Sequence, residues 1–99
     1  MGKYELIFIL NPTIEQKEQK EIIKDIQNFI KTFAKITRKE VGKEKQLAYD
    51  IKGFKTGIFV YIDFEINLEY ASINTKEDLE RKIRLDERII KYMMIREVQ

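Results

Sequence analysis

The stretch VGKEKQLAYDIKGFKTGIFVYIDF, residues 41–64, decides the fold, because it reads as a β-hairpin whose arms carry large apolar groups on alternate residues. Its first arm ends with Leu47, Tyr49 and Ile51 on one face. The second, Ile58 to Ile66, puts Ile58, Val60, Ile62, Phe64 and Ile66 on one side and Phe59, Tyr61, Asp63 and Glu65 on the other. Lys52 to Gly57 supplies the turn, with two glycines able to take positive φ. One face of the second arm is therefore aliphatic, and the other is half aromatic and half acidic. That is more apolar surface than a strand with water on one side carries, and it predicts a partner.

On the N-terminal side, Lys3 to Leu10 alternates as a strand, with Tyr4, Leu6, Phe8 and Leu10 on one face and Lys3, Glu5, Ile7 and Ile9 on the other. Both faces are largely apolar, which suits a central strand. Asn11-Pro12 stops it, and Thr13 with Gln16 three residues on has the form of a capping box. The helix that follows is expected to run to about Phe33, because Ile22, Ile26, Phe29, Ile30 and Phe33 form one stripe at spacings of three and four. Ala34 to Ile51 is then an unusually long strand with a bulge at Gly42, as fits a sheet edge. Beyond the hairpin, Asn67 to Ile73 is irregular, and Asn74 with Glu77 offers a cap for a helix anchored by Leu79 and Ile83. Ile89 to Val98 closes the chain as a strand, with Ile90, Tyr92 and Met94 on one face and Ile89, Lys91, Met93 and Ile95 on the other.

Strand, helix, strand, strand, helix, strand in 99 residues predicts one α+β domain spanning residues 1–99, of the ferredoxin-like βαββαβ arrangement. A four-stranded antiparallel sheet would then carry two helices on one face. The covered face is expected to hold Leu6, Phe8, Leu10, Val60, Ile62, Phe64, Tyr92 and Met94. The same parity leaves Ile7, Ile9, Leu47, Tyr49, Phe59, Tyr61, Met93 and Ile95 on an open face.

Composition narrows the chemistry. With 43% hydrophobic and 36% charged residues the chain can build a core and remain dissolved. It has neither cysteine nor histidine, which removes thiol nucleophiles, imidazole bases, disulfides and the usual zinc ligand sets. No segment approaches the roughly 20 apolar residues a bilayer span needs, and the apolar run Leu6 to Leu10 lacks a secretory cleavage pattern, so a cytoplasmic protein is expected. Net charge is only +2, yet Lys35, Arg38, Lys39, Lys43 and Lys45 against Glu40 and Glu44 leave a local +3 on the second strand. Such a patch can meet phosphate or simply be a solvated edge.

With these residues in place, the chain resembles the bacterial small-subunit ribosomal protein six family over nearly its whole length. The match begins at Tyr4-Glu5 and its strand to Asn11-Pro12, and is most specific at Gly42, Lys45, Leu47-Ala48-Tyr49-x-Ile51 and Gly57-x-Phe59. It closes with Ile83-Arg84-Leu85-Asp86-Glu87 and Lys91-Tyr92-Met93. Asp50 stands where the family usually has proline, the segment from Asn67 to Asn74 is longer than its counterpart, and no long tail follows Gln99. The resemblance implies a structural protein of the small subunit that binds the central domain of its ribosomal RNA together with small-subunit ribosomal protein eighteen. It implies no catalysis, cofactor, metal, membrane or small-molecule substrate. Carried over position by position, the partner surface comprises Lys45, Leu47, Tyr49 and Tyr61, to which the open-face parity adds Phe59, and the RNA contacts are Lys3, Tyr4, Lys91 and Arg96.

Two other functions remain open on the residues alone. An autonomous single-stranded RNA reader of the RNA-recognition-motif type shares the fold and stacks bases on aromatics of the two central strands, and Lys55 to Tyr61 faintly echoes its third strand. Phe8, however, falls on the core parity, which leaves that platform incomplete. A small phosphate-ester or acyl-phosphate hydrolase would need a glycine-rich anion cradle beside an arginine, and none of the four glycines sits in such a loop.

Overall fold

A computed structural model describes residues 2–66 and 75–97. Its elements are β1 (Gly2–Leu10), α1 (Gln16–Lys31), β2 (Ala34–Ile51), β3 (Phe54–Ile66), α2 (Lys76–Leu85) and β4 (Ile89–Arg96). The sheet order is β2-β3-β1-β4, and every pairing is antiparallel. This is the ferredoxin-like α+β arrangement, with β1 central and β2 on an edge as the residue pattern predicts. Ile22, Ile23, Ile26 and Ile30 of α1 and Leu79 and Ile83 of α2 meet Leu6, Phe8, Leu10, Val60, Ile62 and Phe64 in one cluster, so both helices cover the same face. Tyr92 and Met94 are partly buried at its margin, as is Phe29, which lies half out of the core that its spacing assigned it to.

Helix starts differ from expectation in a consistent way. Asn11, rather than Thr13, organises the first: its Oδ1 accepts from the Thr13 backbone N–H at 2.8 Å and hydroxyl at 2.7 Å, an Asx turn after the strand. Helix α1 then begins only at Gln16, with Glu15 in the cap position and making no side-chain cap bond, and it ends at Lys31, two residues short of Phe33. The second helix is capped by Thr75, whose hydroxyl accepts from Asp78 N–H at 3.3 Å while Asp78 Oδ2 accepts from Thr75 N–H at 3.1 Å. That is a capping box displaced by one residue from Asn74 and Glu77. Asn74 and the irregular stretch Asn67 to Ile73 lie outside the described residues, as does Val98.

The hairpin turn is shorter than expected. Only Lys52 and Gly53 connect the arms, with φ of 51° and 85°, the pair of positive values that a two-residue turn requires for strands of right-handed twist. Phe54 to Gly57 are already strand. Gly57 serves packing instead: a Cβ there would lie 2.3 Å from Ile9 Cγ2. Pairing of β2 with β3 slips at three places, including between Val41 and Glu44 around Gly42, the bulge the sequence announces. These slips bend an 18-residue strand around a 13-residue neighbour, and they blunt an edge that could otherwise recruit another strand.

A bulge on the opposite side changes the parity of β4. Ile9 pairs with Lys91 but Leu10 with Ile89, leaving Ile90 as the extra residue. Ile89 therefore enters the main core and Ile90 joins Ile9 and Leu47 on the other face, the reverse of strict alternation.

Candidate interaction face of the sheet

The face turned away from the helices can be built row by row from the strand register. At one end Lys35, Glu65 and Lys3 lie across β2, β3 and β1; next come Arg38, Asp63, Glu5 and Ile95; then Glu40, Tyr61, Ile7 and Met93. Phe59, Ile9 and Lys91 form the last complete row, and beyond it the hairpin overhangs. The face thus grades from alternating charge to apolar surface.

Charge at the first end is internally matched. Lys3 Nζ lies 3.7 Å from Glu65, and Arg38 lies 3.5 Å from Asp63 and also hydrogen-bonds Glu40. The Glu40 hydrogen bond, with help from Asp63, raises the Arg38 pKa above its ordinary value and keeps the guanidinium charged. Asp63 accepts through Oδ2 only; its Oδ1 is buried without a protein partner among the described residues. Sequence reading put Arg38 in a basic cluster but missed its place over Tyr61, 6.0 Å from the ring centroid, because the β2 register depends on bulges.

At the apolar end the cations lie against aromatic rings. Phe59 and Tyr61 stack at 6.4 Å with 25° between their planes. Lys45 Nζ is 4.0 Å from the Phe59 centroid and 3.4 Å from the Tyr61 hydroxyl. Lys91 Nζ donates to the Tyr49 hydroxyl at 2.6 Å and lies 5.1 Å from its ring. The Lys45 contact holds an ammonium over the face of a ring at modest desolvation cost, whereas Lys91 is held at the hydroxyl edge of Tyr49.

The expected partner residues are thus brought together, with one correction. Leu47 is 8% exposed, buried with Ile9 and Ile90 beneath Ile51, Phe54 and Phe59, so it supports the face and offers little of itself to another molecule. Overhang of the hairpin tip makes this second small core, which strand parity alone could not disclose. Lys45 and Tyr49 are exposed, and Phe59 and Tyr61 are half-buried. The expected RNA residues do not form one cluster. Lys3 is tied to Glu65, Lys91 to Tyr49, and Arg96 is exposed opposite Tyr4. Tyr4 itself stacks on Phe64 at 5.6 Å under Lys76 Nζ, on the helix side of the sheet. No group of three or more carboxylates among the described residues is placed to hold a metal.

A family model described as Ribosomal protein S6 matches residues 3–96. The chain is 33% identical over 101 residues to small ribosomal subunit protein bS6 of Shouchella clausii, covering 100% of both chains. It is 34% identical over 98 residues to small ribosomal subunit protein bS6c of Gracilaria tenuistipitata, covering 97% of this chain and 89% of the other. Its fold matches the crystal structure of 30S ribosomal protein S6 from Thermotoga maritima with a TM-score of 0.85 at 24% identity, over 97% of this chain and 87% of that one.

Proposed function

Because the chain belongs to the ribosomal protein S6 family, we propose that it is a non-catalytic structural constituent that binds the central domain of small-subunit ribosomal RNA jointly with small-subunit ribosomal protein eighteen. Its working place is the small subunit of the cytoplasmic ribosome. In this reading residues 1–99 act as one domain, the open face takes the partner protein, and Lys3, Tyr4, Lys91 and Arg96 take RNA.

The observation that carries the proposal is the apolar surface of the open face, where Phe59 and Tyr61 stack under Lys45 while, along β4, Met93 and Ile95 remain 43% and 48% exposed up to the charged rows. Aromatic and aliphatic groups in one patch rimmed by charge are the usual anchors of a protein interface. An autonomous single-strand reader is less well supported. The open side of β1 carries Glu5, Ile7 and Ile9, and Phe8 is fully buried, so bases would find no aromatic on that central strand.

With a net charge of only +2, the chain alone can neutralise few phosphates. RNA binding measured at several salt concentrations, with and without the partner, tests the reading. The pair is expected to bind ribosomal RNA far more tightly than this chain does, with a steeper salt slope. Replacing Lys3, Lys91 and Arg96 together should flatten the pair's slope by about one unit per phosphate they neutralise. Tight, strongly salt-dependent binding by this chain alone would overturn the cooperative reading.

A further inference from the structure

We infer that the groove between α1 and the edge strand β2, on the helix side of the sheet, is a second RNA contact that grips a single-stranded phosphate backbone. The groove exists because two helices cannot cover four strands of this width: Ala34 and Ile36 of β2 still reach the core, but further along Lys39 and Val41 are left exposed beside α1. Lys39 pairs with Ile62 and Val41 with Val60, which fixes both on the helix side. Ile23 and Val41 make an apolar floor, and Lys20, Lys24 and Lys39 make the rim. The cleft holds about 470 Å³, room for a nucleotide unit.

Three features point to a polyanion. Among the described residues, no acidic side chain lines the groove. Lys20 and Lys24 stand one helical turn apart, an arrangement that is mildly unfavourable in an isolated helix, and neither is in an ion pair among the described residues. Lys39 is held in place by Gln27, whose Oε1 accepts from its Nζ at 3.1 Å, so one cation is preset at the wall. Val41 is 48% exposed beside them, an apolar platform on which a ribose or base can rest while the lysines meet the flanking phosphates. An acidic peptide would satisfy the lysines too, but a protein that works inside a ribonucleoprotein meets phosphate first.

This site lies on the opposite side of the sheet from the open face, so it stands or falls independently of the partner surface. The test is an amide-resolved NMR titration of the full chain with oligouridylate, run in parallel with polyglutamate, and a salt series on the wild type and K20Q/K24Q. Oligouridylate is expected to shift Ile23, Gln27, Lys39 and Val41 more than the open-face residues. Each phosphate neutralised on a single strand adds about 0.7 to the salt slope, so the double variant should lose about 1.4 units of it and, near 0.1 M salt, bind roughly tenfold or more weakly. Both lysines are at the surface, and thermal unfolding of the variant should match wild type. Shifts confined to the open face, an unchanged slope, or a response to polyglutamate but not to oligouridylate would each overturn the inference.

Discussion

On the helix-covered face of the sheet Leu6, Phe8, Leu10, Val60, Ile62 and Phe64 are at most 1% exposed, whereas on the other face Tyr49, Ile95 and Met93 reach 62%, 48% and 43%. The strands are the same and the residue types are similar; what differs is the layer above them. Under the helices, burial follows strand parity because α1 and α2 supply matching apolar stripes. On the open side the chain covers only what its own hairpin tip can reach, namely Ile9, Leu47 and Ile90, and sets lysines against the remaining rings. A sheet face half-covered from within and half left to solvent is what a protein shows when another molecule supplies the missing layer.

The contrast is broken most severely from the covered side. Phe8→Ala removes a fully buried ring between both sheet neighbours and the helices, and is expected to cost about 3–5 kcal/mol. Urea denaturation with an unchanged slope against denaturant would measure it, and a midpoint close to wild type would mean that the helix layer does not depend on that strand.

Next comes the open side, where the loss should appear in binding rather than in folding. Replacing Tyr49 and Tyr61 with serine is expected to weaken the complex with the partner protein by about 2 kcal/mol or more, by the usual scale of interface anchors. Titration calorimetry reads this directly. The unfolding midpoint should move far less than for Phe8→Ala, because Tyr49 is 62% exposed and Tyr61 is half-buried.

Gly57 belongs to the small core on the open side. It lies on β3 where Ile9 and Leu47 close over it, and an alanine Cβ would fall 2.3 Å from Ile9 Cγ2. Gly57→Ala should therefore cost about 1–3 kcal/mol as overpacking. In an Ile9→Ala background the additional cost should shrink, a non-additivity that a double-mutant cycle would expose and that two independent sites would lack.

The smallest effect belongs to the turn that carries α2 into β4. Asp86 accepts from Arg88 Nε and Nη2 at 2.9 Å each and from its backbone N–H at 3.0 Å. The Arg88 side-chain hydrogen bonds lead in lowering the Asp86 pKa below its ordinary value. A carboxyl whose folded-state pKa is depressed contributes its stability above the unfolded value, near pH ~4, and loses it as pH falls through the folded value. Asp86→Asn should thus reduce stability at neutral pH by less than about 1 kcal/mol, since both partners are partly solvated. It should also flatten the acid limb of a stability-against-pH curve, whereas parallel wild-type and variant curves would deny the pair any such role.

Much of this architecture is legible in the chain because it depends on local periodicity. Alternation in Lys3 to Leu10 and Ile58 to Ile66, and the four-residue spacing of Ile22, Ile26 and Ile30, fix which residues can share a core whatever surrounds them. Gly42 likewise marks its bulge by itself. Tertiary structure alone decided the rest. Whether Ile89 or Ile90 faces the helices turns on one unpaired residue in β4, and a single insertion reverses alternation beyond it. Burial of Leu47 depends on a hairpin tip folding over β1 and β4, residues far away in sequence. Asn11 and Thr75 took the turn and cap because, among several polar residues of similar capability, the one used is selected by where the packed helix must begin.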